Sequence, residues 1–208
     1  KLVQPEMARD MEPMGIRPAV IVSWDGGAYF SNKPIRKIED FKGLQWRTHA
    51  PMLSQIIVEM GGTTVGMPFG ELIPSLEKGL VQAYTTTFPA MDAAGLPKVT
   101  KYAIAAPNGT SLAVVMVSEK ALQALPEDVR KKAVAELDAI NAEVGERLYK
   151  DMLAVVDSVQ KQGVELITFT PEESANVRAA SQKAVWSEWL QQTGDRGKAL
   201  VEKLQAYK

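Results

Sequence analysis

Between Asp40 and Pro89 the chain reads DFKGLQWRTHAPMLSQIIVEMGGTTVGMPFGELIPSLEKGLVQAYTTTFP, and this segment constrains the fold most. Leu44–Thr48 has the composition of a strand. Pro51 then sits well in the first turn of a helix. Leu53, Ile56, Ile57 and Met60 follow at i, i+3, i+4 and i+7, one apolar face, and Gly61-Gly62 stops it. Thr63–Val65 is a second strand, Gly70–Lys78 a second helix and Val81–Thr85 a third strand. Pro74 lies inside that second helix, so its first turn is expected to be separate or kinked. Strand-helix alternation of this kind builds parallel, right-handed βαβ units. Open α/β sheets bind ligands at the carboxyl ends of their strands. Arg47 stands at that end of the first strand, and its planar fork matches the two oxygens of a carboxylate. The segment therefore points to recognition of a small anion.

Around it, Pro18–Ser23 and Ser111–Val117 read as apolar strands, and Tyr29–Ser31 and Tyr102–Ala106 as short extended pieces. Ser111–Val117 is apolar on both faces, which predicts a central strand with covered faces. From Pro126 to about Gln162 apolar residues recur at helical spacing. A helix of that length, on the order of 55 Å at 1.5 Å per residue, must kink or run past two lobes. Val164–Phe169 is another strand, and Thr170-Pro171-Glu172-Glu173 is a capping box opening the last helix or helices. The α/β order suggests two lobes. Residues 1–28 and 107–125 would belong to the first, 29–106 would form the second, and 126–208 would hold the long helix, a strand and the C-terminal helices. The first lobe is short of strands.

With 24 Lys+Arg against 25 Asp+Glu and a net charge of −1, the chain lacks the basic face that nucleic-acid binding requires. It has no cysteine and one histidine, which removes thiolate chemistry and makes conventional triads and zinc sites scarce. No apolar run approaches the roughly 20 residues that span a bilayer, so no membrane insertion is expected. No signal peptide is recognisable, and Lys1 stands where an initiator methionine would, so processing, trimming and a fragment all stay open. There is no H-E-x-x-H, P-loop or G-x-S-x-G motif. No cofactor, metal or catalytic residue is expected.

Six pieces in order carry a family resemblance: Ser31-Asn32-Lys33-Pro34-Ile35; Asp40-Phe41-Lys42-Gly43-Leu44-Gln45-Trp46-Arg47; Gly61-Gly62 with Met67-Pro68-Phe69-Gly70-Glu71; Lys78-Gly79-Leu80-Val81-Gln82-Ala83; Val117-Ser118 through Leu125-Pro126-Glu127-Asp128; and Lys161-Gln162-Gly163-Val164 after the long helix. The chain resembles the solute-binding proteins of tripartite ATP-independent periplasmic (TRAP) transporters. The resemblance implies a two-lobed, periplasmic-binding-protein-like α/β fold with a long helix spanning both lobes. It also implies a periplasmic location, a small organic acid as ligand, and the transporter's membrane subunits as partners. Family members are roughly half as long again, so about the first third, which supplies most strands of the first lobe, is expected to be absent here.

In that family the residue matching Arg47 clamps the ligand carboxylate. A second arginine common in acid binders has no match in Trp24-Asp25-Gly26-Gly27-Ala28-Tyr29-Phe30, and Tyr84-Thr85-Thr86-Thr87-Phe88 replaces a frequent Q-E-N-P. A single carboxylate with an aromatic or hydroxylated remainder then suits Trp24, Phe69, Thr86 and Phe88. Thr85 is an alternative hydroxyl donor, His49 a ligand hydrogen-bonding group, and Asn108 a residue at the return crossing. Their plain readings are core packing for the aromatics, strand-end propensity for the threonines, and a loop or cap role for His49. Two rivals remain: a two-lobed enzyme with Asp25 or His49 as base, and a truncated interaction module without a ligand.

Overall fold

The computed structural model describes residues 4–24, 27–106 and 111–206. In chain order the elements are α1 (Gln4–Met11), β1 (Ile16–Trp24), β2 (Ala28–Ser31), β3 (Gln45–Thr48), α2 (Pro51–Glu59), β4 (Thr63–Gly66), α3 (Leu72–Glu77), β5 (Ala83–Thr86), α4 (Phe88–Ala93), β6 (Tyr102–Ala105), β7 (Ser111–Ser118), α5 (Glu119–Gln123), α6 (Glu127–Lys161), β8 (Glu165–Ile167) and α7 (Pro171–Ala206). The alternation legible between Asp40 and Pro89 is present. Pro74 falls in the first turn of α3, where its missing N–H is harmless, and Phe69–Glu71 forms a separate 3₁₀ turn before it. The C-terminal helix breaks at Gly194, whose φ of 59° and ψ of −140° suit glycine alone.

The chain divides into two units, Lys1–Asp25 with Thr110–Leu153, and Gly26–Gly109 with Ala154–Lys208. The boundary falls within the uninterrupted α6, so this helix belongs to both. The second unit holds a six-stranded sheet in the order β4-β3-β5-β2-β6-β8. β3 pairs in parallel with both β4 and β5, as βαβ units require. β2 is antiparallel to β5 and β6, and β8 extends the far edge parallel to β6. This unit therefore draws on the chain well beyond residue 106.

Period-2 alternation sends the sheet's side chains into two cores. On one face Trp46 stacks on Phe41 at 4.9 Å, and Tyr29 meets both edge-on at 5.3 and 5.7 Å. Ile57 of α2, Ile167, Phe169 and Val177 of α7 complete that cluster. On the other face Phe30 stacks on Tyr84 at 5.1 Å, with Leu72, Leu76, Met91, Leu96 and Val159 around them. A fully buried aromatic such as Trp46 removes about 150–250 Å² from water, roughly 4–6 kcal/mol of transfer free energy at about 25 cal/mol/Å². Gly62 makes this packing possible: a Cβ there would stand 2.7 Å from Ile57 and 2.9 Å from the Trp46 ring.

The first unit contains an antiparallel ribbon of β1 and β7. Its register shifts at Pro18, which has no N–H to give the ladder. Asn141 of α6 accepts a hydrogen bond from the Ile21 N–H at 2.9 Å. The expectation that β7 is a central, covered strand is corrected here. Among the described residues it pairs with β1 alone, and Leu112, Val115 and Met116 are each about half exposed. Both faces of β7 are apolar, and the described part of this unit supplies too few layers to cover them.

Candidate anion-binding cleft

The carboxyl ends of β3, β4 and β5 lie side by side at Thr48, Gly66 and Thr86, because the three strands are parallel. A cavity of about 750 Å³ opens there within the second unit. Its lining includes Arg47, His49, Pro51, Ser54, Met67 and Pro68.

Among the described residues that line it Arg47 alone is ionised, and it is 4% exposed. Its Nε–H and an Nη2–H both donate to the Met67 carbonyl, at 3.2 and 3.1 Å. One lateral edge of the guanidinium is thereby fixed, and the end-on pair of Nη1–H and Nη2–H remains for a two-oxygen acceptor. Phe69 lies beneath the plane, its ring centre 5.4 Å from Cζ. Among the described residues no carboxylate pairs with Arg47. Burial lowers its pKa from the ordinary 12.5, and guanidinium remains a cation at neutral pH. A buried cation held by one carbonyl and one ring is an incomplete electrostatic arrangement, which a bound anion completes.

A second donor source faces the same space. α2 begins at Ala50 with no side-chain cap, and Pro51 occupies its first position. Ser54 N–H is already bonded to Ala50, but the N–H groups of Met52 and Leu53 belong to the uncapped first turn. Helix N-termini favour anions through these amides and through the helix dipole. The Thr48 and Ser54 hydroxyls bond each other at 2.6 Å, pinning that first turn to the end of β3.

His49 lies in the bend after β3, is exposed and lines the cavity. Burial of part of its ring and the nearby Arg47 charge lower its pKa, while a hydrogen bond to the Thr85 backbone offsets this in part. Burial and the Arg47 charge both favour the neutral imidazole.

The other expected site residues are distributed as follows. Thr86 ends β5 on the face of Tyr84, which is the register partner of Arg47. Thr85 points to the opposite face, is 3% exposed, and its Oγ1 is buried without a hydrogen-bond partner. Phe69 reaches Arg47 and is 39% exposed. Phe88 instead packs edge-on against Phe30 at 5.3 Å in the core. The side chain of Trp24, and all of Asn108 and Asp25, lie outside the described residues. Sequence reasoning missed the Met67 carbonyl and the α2 N-terminus. Ala50-Pro51, a helix start without a capping side chain, is the signal that could have exposed the latter.

A second cavity, about 340 Å³ in the first unit, offers a contrast. Its cations are already engaged: Arg17 with Glu119 at 3.3 Å, Lys131 with Glu127 at 2.6 Å, and Arg130 with the Gln123 side-chain Oε1 at 3.0 Å. Among the described residues no group of His, Cys, Asp and Glu could hold a metal ion, and no helix is long and apolar enough to cross a membrane.

Comparison with known proteins agrees with this architecture. Residues 3–192 match the family described as bacterial extracellular solute-binding protein, family 7. A solute-binding protein of Albidiferax ferrireducens is 24% identical over 193 residues, covering 88% of this chain and 55% of its own length. The extracytoplasmic solute receptor DctP7 of Bordetella pertussis, solved with pyroglutamic acid, superposes with a TM-score of 0.85 at 19% identity over 97% of this chain and 66% of its own. A TRAP periplasmic solute-binding protein of Haemophilus influenzae, solved with L-gulonate, gives a TM-score of 0.83 at 23% identity over 100% and 69%. The chain spans about half the length of the curated relatives it matches. These are solute-binding proteins of transport systems rather than enzymes. With the two-lobed α/β architecture of those structures and a family match across nearly its whole length, the chain belongs to the family 7 extracellular solute-binding proteins, the solute-binding proteins of TRAP transporters.

Proposed function

We propose that this chain is the ligand-binding part of a periplasmic TRAP receptor, capturing a small organic acid by its carboxylate and delivering it to the transporter's membrane subunits. One observation carries the reading: a buried guanidinium with its end-on edge open, placed at the carboxyl ends of three parallel strands. The α2 N-terminus adds amide donors to the same anion. Two relatives were solved with monocarboxylic acids, pyroglutamic acid and L-gulonate, which agrees with a single clamp. Capture proceeds by closure of the two units over the acid, with α6, shared between them, limiting the movement. Phe69 excludes water from one side of the ion pair, and Thr86 contributes a hydroxyl to the remainder of the ligand.

A thermal-shift panel of small carboxylic acids, each beside its neutral amide, tests this. The expected result is stabilisation by at least one acid, none by its amide, and loss of the effect in Arg47→Ala. Stabilisation that persists in Arg47→Ala, or equal response to acid and amide, would overturn the assignment.

A further inference from the structure

We propose that the end of the six-stranded sheet opposite the cleft is a docking surface for a bilayer that contains anionic phospholipid; this goes beyond acid capture and stands independently of it. The topology of the sheet assembles the surface. β3, β5, β6 and β8 begin at this end, and β2 finishes there. Backbone hydrogen bonds lace the neighbouring segments together. Gln82 N–H donates to the Gln45 carbonyl at 3.0 Å, Asn32 N–H to Gln82 at 2.9 Å, Lys101 N–H to Ser31 at 3.3 Å and Glu165 N–H to Lys101 at 2.9 Å. Four strand spacings, roughly 19 Å, separate β3 from β8.

Every lysine between Gly26 and Gly109 falls in these segments: Lys33 and Lys37 after β2, Lys42 before β3, Lys78 before β5, and Lys98 and Lys101 before β6. All six are exposed, and among the described residues none forms an ion pair. Nearby acids do not cancel them. Glu165, Glu59 and Asp157 are neutralised by Arg36, Lys183 and Lys161. Asp40 accepts from the backbone N–H groups of Arg36 and Lys37, and Asp92 from Gln162. Even with Asp40, Asp92, Glu39 and Glu77 all ionised, lysine stays in excess.

Leu80 decides the kind of partner. It follows Gly79 in the turn between α3 and β5, two residues from Lys78, and is 63% exposed. Lysine is depleted at protein–protein interfaces, which favour arginine and aromatic anchors. The one arginine of these segments, Arg36, is paired with Glu165, and among their described residues no large aromatic side chain is exposed. Long lysine stems around an apolar tip suit a lipid surface instead. The ammonium groups reach the headgroup phosphates while the leucine enters the acyl boundary.

The test is co-sedimentation with vesicles of equal parts phosphatidylcholine and phosphatidylglycerol, beside vesicles of phosphatidylcholine alone. Wild type should bind the anionic vesicles only, and should be released as salt rises from about 0.05 to about 0.5 M. Each lysine at an anionic surface is worth about fivefold in affinity. Joint replacement Lys33→Gln, Lys42→Gln, Lys78→Gln and Lys101→Gln should therefore weaken binding by well over tenfold. A control removes the same charge elsewhere, by Lys131→Gln, Lys132→Gln, Lys150→Gln and Lys198→Gln, and should stay within about threefold of wild type. Leu80→Asn should weaken binding by about three- to tenfold. Circular dichroism checks the fold of each variant. Wild type that ignores anionic vesicles, or binds both kinds alike, would overturn the inference. So would a control set that loses as much as the test set, which would reduce the effect to net charge. None of these results alters Arg47-dependent acid binding, which is measured separately.

Discussion

Replacing Arg47 by methionine separates a ligand clamp from a structural arginine, because the two roles have opposite consequences for stability. Methionine keeps much of the side-chain volume and removes the charge. The Met67 carbonyl would lose both of its N–H donors, a cost of about 1–3 kcal/mol for a buried acceptor left unsatisfied. The contact with Phe69 at 5.4 Å contributes roughly 0.5–1 kcal/mol more. Against these stands relief from holding a cation at 4% exposure with no carboxylate partner among the described residues, a penalty of several kcal/mol. The terms nearly cancel, so the stability of Arg47→Met should lie within about 2 kcal/mol of wild type. Removing one partner of a complete buried ion pair costs about 3–5 kcal/mol instead. Acid binding should fall by roughly thirtyfold to several thousandfold, the equivalent of about 2–5 kcal/mol. Urea unfolding followed by tryptophan fluorescence gives the first quantity and calorimetric titration the second. A stability loss above about 4 kcal/mol with acid affinity unchanged would refute the reasoning and make Arg47 a structural residue.

Three other outcomes are expected. Phe69→Leu keeps an apolar cover over the guanidinium but removes the ring, so acid affinity should drop about two- to fivefold by titration with an unfolding midpoint close to wild type. Gly62→Ala drives a methyl into Ile57 and Trp46 and should cost about 1–3 kcal/mol in urea unfolding, with the loss reduced by Trp46→Phe. Burial pushes the Tyr84 phenol well above its ordinary 10.0, and the Thr100 hydroxyl offsets this in part. The folded state then keeps a proton that the unfolded chain releases, so this contribution is complete below about pH 10 and declines as pH rises further. Stability measured from pH 9 to 11 should fall more steeply in wild type than in Tyr84→Phe.

The parts of this molecule that local chemistry dictates were legible in the sequence. β3-α2-β4-α3-β5 could be read because apolar spacing, Pro51 and the glycine stops act within a few residues. Arg47 could be singled out because a parallel strand places its carboxyl end at a ligand site whatever the remainder of the chain does. The antiparallel insertion of β2 between β5 and β6, and the addition of β8 at the edge, depend on pairings between distant segments that no local pattern encodes. Phe88 looked like a cleft wall, but its place is decided by Phe30, far away in sequence, which draws it into the core. The Met67 carbonyl was invisible for another reason: it is backbone, and only the turn after β4 aims it at Arg47. The apolar pattern of β7 was read correctly as a demand for cover, yet it could not say that only β1 would meet it among the described residues.

The most direct test of the carboxylate clamp is a crystal structure with the strongest-binding acid of the panel. The carboxylate oxygens should lie on Arg47 Nη1 and Nη2 at about 2.7–2.9 Å, with the Met67 carbonyl still holding the lateral edge. An acid seated elsewhere, with the Arg47 end-on edge turned to a protein carboxylate or to bulk water, would contradict it.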